Sequence, residues 1–225
     1  MGKRLVENLE YILNCFLAIV YPKKDSCIIC DEPQEETLLC NKCQKALVKV
    51  EEPIVEEYKG NKYIMHSCTH YTKELKKLII AFKMHKDFSS GEILADMLTE
   101  GMAFWNIKGD IITYVPLSRR KERKRGFNQC YYLSKKISRV YNIPLETLLY
   151  KKENIKEQKK LSKIERKKNV EEAFNVINTS KIKDKTVILI DDVITTGATV
   201  LACANELKKF GAKEVNILTV GQSRI

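Results

Sequence analysis

The chain has 225 residues, of which 44% are hydrophobic and 31% charged, with nine Gly and five Pro. This length suits one α/β domain with a small appended module, and the composition excludes a disordered or collagen-like chain. The formal net charge is +11, and residues 119–125 and 151–168 carry the whole basic excess. Such a charge favours a polyanionic partner, either nucleic acid or a phosphate compound.

The N-terminal segment has the pattern of an amphipathic helix, with apolar residues at intervals of three and four. Its uncharged run, residues 11–22, is shorter than the roughly 20 residues that span a bilayer, and no targeting signal is apparent. We expect a helix docked on protein, with a helix at a membrane surface as the alternative, and a cytoplasmic protein without membrane insertion. The apolar positions are Leu5, Leu9, Ile12, Leu13, Phe16 and Val20.

Four of the eight cysteines form two Cys-x-x-Cys pairs, Cys27 with Cys30 and Cys40 with Cys43. Two such pairs close together can present four thiolates to one tetrahedral ion, which is typical of a zinc ribbon. With four cysteine ligands no position is left for water, so the zinc is expected to be structural. Disulfides and redox chemistry are the alternatives. The remaining cysteines are expected in the core: Cys15, Cys68, Cys130 and Cys203.

Residues 49–62 are polar and charged, and they are interpreted as a linker. This divides the chain into a helix and zinc ribbon at residues 1–48 and a main domain at residues 63–225. Three histidines have no metal spacing to one another and no neighbouring nucleophile, so they receive no role: His66, His70 and His85.

Residues 111–115 predict a strand, and residues 129–141 predict a helix. The basic sequence RRKERKRGFNQ between them is interpreted as a loop, either anion-binding or merely solvated. Aromatic residues beside it are candidates for stacking on nucleic-acid bases, although those on the helix could instead be half-buried. They are Phe127, Tyr131 and Tyr132.

A second strand is predicted from residue 186, in an uncharged β-branched run that ends at Asp191 and Asp192. Ligands of parallel sheets bind outside the carboxyl ends of the strands. The following turn, Thr195 to Thr199, offers backbone N–H groups, hydroxyls and a helix N-terminus to a phosphate. Two carboxylates would repel that phosphate unless they bind sugar hydroxyls or Mg²⁺, so a ribose 5-phosphate fits. A purely structural turn with capping aspartates is the alternative.

Residues 186–199, TVILIDDVITTGAT, resemble the phosphoribosyl pyrophosphate (PRPP) signature of type I phosphoribosyltransferases. The resemblance implies that Asp191 and Asp192, the acidic pair, are the catalytic carboxylates that hold the ribose hydroxyls, with Mg²⁺ bound alongside PRPP. It also implies a phosphate turn formed by Thr195, Thr196, Gly197, Ala198 and Thr199.

Residues 114–129, YVPLSRRKERKRGFNQ, resemble the signature of the ComF family, competence-associated phosphoribosyltransferase-like proteins with an N-terminal zinc ribbon. The likeness extends to the cysteine pairs, to residues 71–83 and to residues 158–174. It implies a type I phosphoribosyltransferase fold, a parallel sheet with helices on both faces, and a flexible hood at residues 152–169. The Thr that often precedes Gln158 in the family is absent here. Residues implied to bind pyrophosphate or DNA are Ser118, Arg119, Arg120, Arg123 and Arg125.

The same resemblance implies a role in natural transformation, with PRPP, single-stranded DNA and a competence helicase as partners. The basic stretches fit a surface that tracks phosphates with little sequence preference. Two other functions stay open, a small-molecule phosphoribosyltransferase of nucleotide salvage and a PRPP sensor without turnover. The sequence does not decide between transfer and binding alone, because no acceptor pocket can be recognised in it.

Overall fold

The computed structural model describes residues 25–34, 37–153 and 172–223. The chain divides into two compact units, Met1–Gln44 and Lys45–Ile225. The expected N-terminal amphipathic helix, Cys15 and most of the expected hood lie outside the described residues. Within the described ranges, no helix has the length and apolar character needed to cross a membrane.

In chain order the described helices and strands carry the following labels. They are α1 (Asn41–Lys45), β1 (Ile54–Tyr58), β2 (Asn61–His70), α2 (Lys73–His85), α3 (Phe88–Phe104), β3 (Ile111–Tyr114), α4 (Arg119–Arg125), α5 (Gln129–Tyr141), β4 (Leu149–Lys151), β5 (Phe174–Val176), β6 (Thr186–Ile194), α6 (Ala198–Lys209) and β7 (Glu214–Gln222).

The main unit is built on a five-stranded sheet in the order β1-β2-β7-β6-β3. β2, β7, β6 and β3 are parallel to one another, and β1 is antiparallel to β2. Four strands thus form the expected parallel sheet, and the antiparallel β1 makes the whole sheet mixed. The four parallel strands and their helices have the architecture of the phosphoribosyltransferase fold, and β1 extends one edge.

β1 lies within residues 49–62, which the composition had indicated to be a linker. Its middle residues are exposed because β1 is an edge strand, and two of them are the glutamates that made the segment look like a linker. Lys59 and Gly60, with φ angles of 50° and 77°, form the tight turn into β2.

Helices cover both faces of the sheet, as expected. Alternate residues of β6 and β7, such as Leu189 and Ile217, lie in one core with Val200 and Cys203 of α6. The intervening residues face the other side, where α3 crosses β7 closely enough that a Cβ added at Gly101 would lie 3.5 Å from Leu218.

The expectation that the scattered cysteines are core residues is confirmed for Cys130 and Cys203, which are fully buried. Cys68 is partly buried, and its thiol donates a hydrogen bond to the Met97 carbonyl at 3.2 Å.

The basic segment after β3 is the helix α4, whereas the sequence had indicated a loop. The Ser118 hydroxyl caps its first turn by accepting a hydrogen bond from the Lys121 backbone N–H at 3.4 Å. Gly126 ends the helix in the left-handed conformation with φ at 90°. Arginine and lysine are good helix formers, so a capped run of them forms a helix despite its charge.

Candidate functional site

The acidic pair lies inside β6, which continues to Ile194, and not at the end of the strand as expected. Asp191 is 8% exposed and Asp192 7% exposed. β3 pairs with β6 only as far as Ile190, whereas β7 pairs with it up to Ile194. The carboxyl end of β6 is therefore open on the β3 side, and the acidic pair lies at the edge where parallel sheets bind ligands.

Burial and a thiol control the ionisation of Asp191. Its Oδ1 atom accepts hydrogen bonds from the Asp192 backbone N–H at 2.9 Å and from the Cys130 thiol at 3.2 Å. Burial raises the pKa of Asp191 to about 6, although the Cys130 hydrogen bond and the charges of two lysines, Lys83 and Lys151, lower it. Burial also raises the pKa of Cys130 well above its ordinary value, which keeps the thiol protonated as a donor.

Lys83 enters the site from the last turn of α2 and forms an ion pair with Asp192. The Lys83 side chain is 22% exposed. Burial lowers its pKa, the neighbouring Cys130 and Asp191 raise it, and Arg125 lowers it. The family resemblance covers residues 71–83, but nothing in the sequence connected Lys83 or Cys130 with the acidic pair, because both reach it only through tertiary packing.

The phosphate turn leads into a partly exposed helix N-terminus. Gly197 is the N-cap of α6, with φ at 70° in the left-handed region that favours glycine, and it has no side chain to cap the helix. Thr196 Oγ1 accepts a hydrogen bond from the Ala198 N–H at 3.5 Å. Thr195 and Thr196 are exposed, and Thr199 is partly exposed. All five residues expected to bind phosphate are therefore consecutive between the end of β6 and the first turn of α6.

The expected anion-binding residues of α4 divide into an outer and an inner group. The outer arginines are exposed, and Arg119 approaches Glu153 at 3.9 Å. Arg125 is partly buried and donates a hydrogen bond to Gln129 Oε1. Burial lowers its pKa, and the nearby Cys130 raises it. The outer group comprises the cap residue and three arginines, Ser118, Arg119, Arg120 and Arg123.

Two of the three expected base-stacking aromatics are used in packing instead. The ring of Phe127 lies 5.0 Å and that of Tyr132 5.2 Å from Phe82, measured between centroids. The Tyr132 hydroxyl donates to Glu92 at 2.6 Å. Tyr131 differs, because it is 44% exposed and its ring packs edge-on against Tyr114. Tyr131 is therefore the stacking candidate that the structure leaves accessible.

The expected hood, residues 152–169, is described only at Lys152 and Glu153. The strands on either side of the gap, β4 and β5, pair as a short antiparallel ladder, and Lys152 N–H donates to the Ala173 carbonyl at 2.9 Å. Lys151, at the end of β4, is close enough to Asp191 for its charge to lower the pKa of that carboxyl. The described residues that flank the gap therefore lie near the acidic pair.

The four expected zinc ligands are brought together in the N-terminal unit. Their donor atoms all lie within 4.8 Å of one another, and the thiols are free. The Sγ atoms of Cys30 and Cys40 are 3.6 Å apart, well beyond a disulfide bond. The Cys43 N–H donates to Cys40 Sγ at 3.4 Å.

The pKa values of two of these thiols, Cys27 and Cys43, are shifted in opposite directions. Burial raises the pKa of Cys27, but backbone N–H donors led by that of Cys40 outweigh it and lower the pKa to about 6. Burial, with the neighbouring thiols, raises the pKa of Cys43 far above its usual range. Four sulfurs held this close, with backbone N–H groups directed at them, fit a structural zinc ion.

A cleft of about 490 Å³ lies near the opposite ends of the strands. It is lined by Asp110, Thr186 and Glu214 near the amino ends of β3, β6 and β7, with the half-buried His66 and Trp105 beside them. Because parallel sheets bind ligands at the carboxyl ends of their strands, the cleft is not assigned to the candidate site.

The chain is similar both to a family model and to individual proteins. The sequence model of the family described as "Phosphoribosyl transferase domain" matches residues 128–223, which contain the acidic pair and the phosphate turn. The chain is 31% identical to Competence protein F of Haemophilus influenzae over 155 residues, which cover 66% of this chain and 68% of that protein.

Two further relatives are a competence protein and a DNA utilization protein. Competence protein ComFC of Bacillus subtilis is 28% identical over 202 residues, which cover 88% of this chain and 78% of that protein. DNA utilization protein YhgH of Escherichia coli is 32% identical over 109 residues, which cover 48% of this chain and 47% of that protein.

Proposed function

Since this chain belongs to the ComF family of competence proteins, which carry a phosphoribosyltransferase-like domain, we propose that it binds PRPP with Mg²⁺ and handles single-stranded DNA during natural transformation. In this proposal it acts in the cytoplasm on incoming DNA, and a helicase of the uptake machinery is its protein partner. The N-terminal cysteine cluster holds one structural zinc ion.

The observation that carries the PRPP proposal is the adjacency of two buried carboxylates and an uncapped helix N-terminus. The first N–H groups of α6 have no cap from the Gly197 side chain and only a long hydrogen bond, from Ala198 N–H to Thr196 Oγ1 at 3.5 Å, so an anion would satisfy them better. A phosphate alone would be repelled by Asp191 and Asp192, but ribose hydroxyls can donate hydrogen bonds to those carboxylates. A ribose bearing a 5-phosphate meets both requirements.

The acidic pair also fits Mg²⁺. Carboxylate oxygens are hard ligands of the kind that Mg²⁺ prefers, and oxygens of Asp191 and Asp192 lie within 4.8 Å of each other and of the Cys130 sulfur. Mg²⁺ bound together with PRPP would neutralise part of the pyrophosphate charge. Cys130 is a positioning residue in this arrangement, because its protonated thiol holds Asp191 Oδ1.

The exposed face of α4, with Tyr131 nearby, supports the DNA-binding half of the proposal. Arg119, Arg120 and Arg123 are exposed on a short capped helix, and Tyr131 offers an accessible ring. Fixed cations beside an aromatic ring are the usual elements of a surface that binds single strands without sequence preference.

Replacing Arg119, Arg120 and Arg123 together by Gln is expected to weaken binding of an oligo-dT strand at least tenfold at low salt. The slope of log K against log salt should become shallower by about 2, because each lost phosphate contact removes about 0.7 from it. Fluorescence anisotropy over a salt series measures both quantities.

The matched control replaces three exposed lysines elsewhere on the main unit, Lys183, Lys185 and Lys213, by Gln. Both triple variants lose the same charge, so a change specific to the arginine variant identifies a local contact. Equal weakening in the two variants would mean that net charge alone binds DNA, and an unchanged slope in the arginine variant would overturn the assignment.

A phosphoribosyltransferase and a PRPP sensor are distinguished by turnover. Pyrophosphate release from PRPP and Mg²⁺ is measured with and without single-stranded DNA, in the wild type and in a variant with Asp191→Asn and Asp192→Asn. Release that depends on these carboxylates identifies a transferase or a PRPP hydrolase, and binding without release identifies a sensor. If PRPP neither binds nor reacts, the proposal fails.

A further inference from the structure

The ion pair between Lys83 and Asp192 occupies the carboxylate that the proposed function assigns to ribose. Asp192 is 7% exposed, and its partner ammonium comes from a helix outside the segments expected to bind PRPP. A ligand that uses Asp192 must therefore either share this carboxylate with the ammonium or displace it.

Other charged and polar groups surround the ion pair. Arg125 is close enough for its charge to lower the pKa of Lys83, and Asp191 and Cys130 are close enough to raise it. Oxygens of Asp191 and Asp192 and the Cys130 sulfur lie within 4.8 Å of one another. The charges of Lys83 and Lys151 both act on Asp191, and Lys83 also pairs with Asp192. PRPP adds several negative charges to this group, and the largest share is on its pyrophosphate.

We propose that Lys83 is a further PRPP-contacting residue, which pairs with Asp192 in the free protein and with a pyrophosphate oxygen in the complex. This inference rests on the proposed function. The ammonium holds the Asp192 carboxylate in position before binding, and it then becomes a charge-assisted donor to the ligand. Its side chain is long and mobile enough to change partners without movement of α2.

Comparing the affinities for PRPP and for ribose 5-phosphate distinguishes a pyrophosphate contact of Lys83 from a purely structural role. If Lys83 contacts pyrophosphate, Lys83→Met weakens Mg²⁺-dependent PRPP binding at least tenfold, the scale of one lost charge-assisted contact. The affinity for ribose 5-phosphate, which has no pyrophosphate, should stay within about threefold of wild type or become tighter. Isothermal titration with both compounds measures the two affinities.

Two further variants complete the experiment. Lys76→Met removes an exposed lysine from the same helix and should bind both compounds as the wild type does. Lys83→Gln keeps a hydrogen-bond donor for Asp192 but no charge, so it should repeat the selective loss of PRPP affinity, and it serves in place of Lys83→Met if that variant fails to fold.

The remaining outcomes overturn either the role of Lys83 alone or the proposed function as well. Wild-type PRPP affinity in both Lys83 variants, or equal weakening of PRPP and ribose 5-phosphate binding, overturns the role of Lys83 while leaving the proposed function intact. Absence of PRPP binding by the wild type overturns both.

Discussion

Replacing Asp191 by Asn is expected to stabilise the folded protein at pH 7 by about 2 to 3 kcal/mol. Burial raises the pKa of Asp191 from 3.8 to about 6, so the folded state binds its proton more tightly than the unfolded state does. The ionised carboxylate therefore destabilises the fold above pH 6, at about 1.4 kcal/mol per pKa unit. Asn has nearly the same shape and carries no charge.

The pH dependence provides the check on this prediction. The advantage of Asp191→Asn should be complete above about pH 6, shrink as the pH falls through 6, and vanish below about 4, where the wild-type carboxyl is protonated in both states. Urea unfolding without added Mg²⁺, over a series of pH values, measures this difference in the free energy of unfolding. Asp184→Asn changes an exposed aspartate and should alter stability by less than about 0.5 kcal/mol. A variant no more stable than wild type at pH 7 would refute the electrostatic account.

Replacing Cys27 by Ser is expected to remove most of the bound zinc and to unfold the N-terminal unit. Backbone hydrogen bonds from Cys27 N–H to the Glu32 carbonyl at 2.7 Å and from Asp31 N–H to the Cys27 carbonyl at 2.9 Å form the first knuckle, and the Cys27 Sγ atom is one of the four clustered sulfurs that the variant loses. A unit this small depends on its metal, and structural zinc contributes on the order of 10 kcal/mol to folding.

Zinc content per chain after dialysis measures this effect. The wild type should retain about one equivalent, the amount that one four-cysteine site holds. The control variant Cys68→Ala, which replaces a cysteine of the main unit, should retain the same amount of zinc as the wild type. Full zinc content in Cys27→Ser, or none in the wild type, would contradict a four-cysteine site.

The parts of the site that are contiguous in the chain could be predicted from the sequence. Asp191 to Thr199 run from the last part of β6 through the turn into the start of α6, so their order alone places carboxylates close in the chain to a helix N-terminus. The cysteine quartet was predictable for the same reason, since each pair is a local loop. The assignment of these residues to PRPP and zinc stays a prediction.

The features that the sequence failed to reveal depend on tertiary structure or on caps. Lys83 and Cys130 come to the acidic pair from α2 and α5, and no spacing rule connects them with β6. β1 was interpreted as a linker because it carries exposed glutamates, which an edge strand tolerates. The helix α4 was interpreted as a loop because of its charge, although its capping residues, Ser118 and Gly126, are visible in the sequence.

PRPP binding at the acidic pair is tested by isothermal titration of PRPP with and without Mg²⁺, into the wild type and into the variant with Asp191→Asn and Asp192→Asn. We expect Mg²⁺-dependent binding to the wild type and a loss of at least a hundredfold in affinity in the variant, since two hydrogen-bonded carboxylates are neutralised. Binding of equal strength in both proteins would show that the acidic pair does not hold the ribose. No binding to a folded, zinc-loaded wild type would show that the site does not take PRPP.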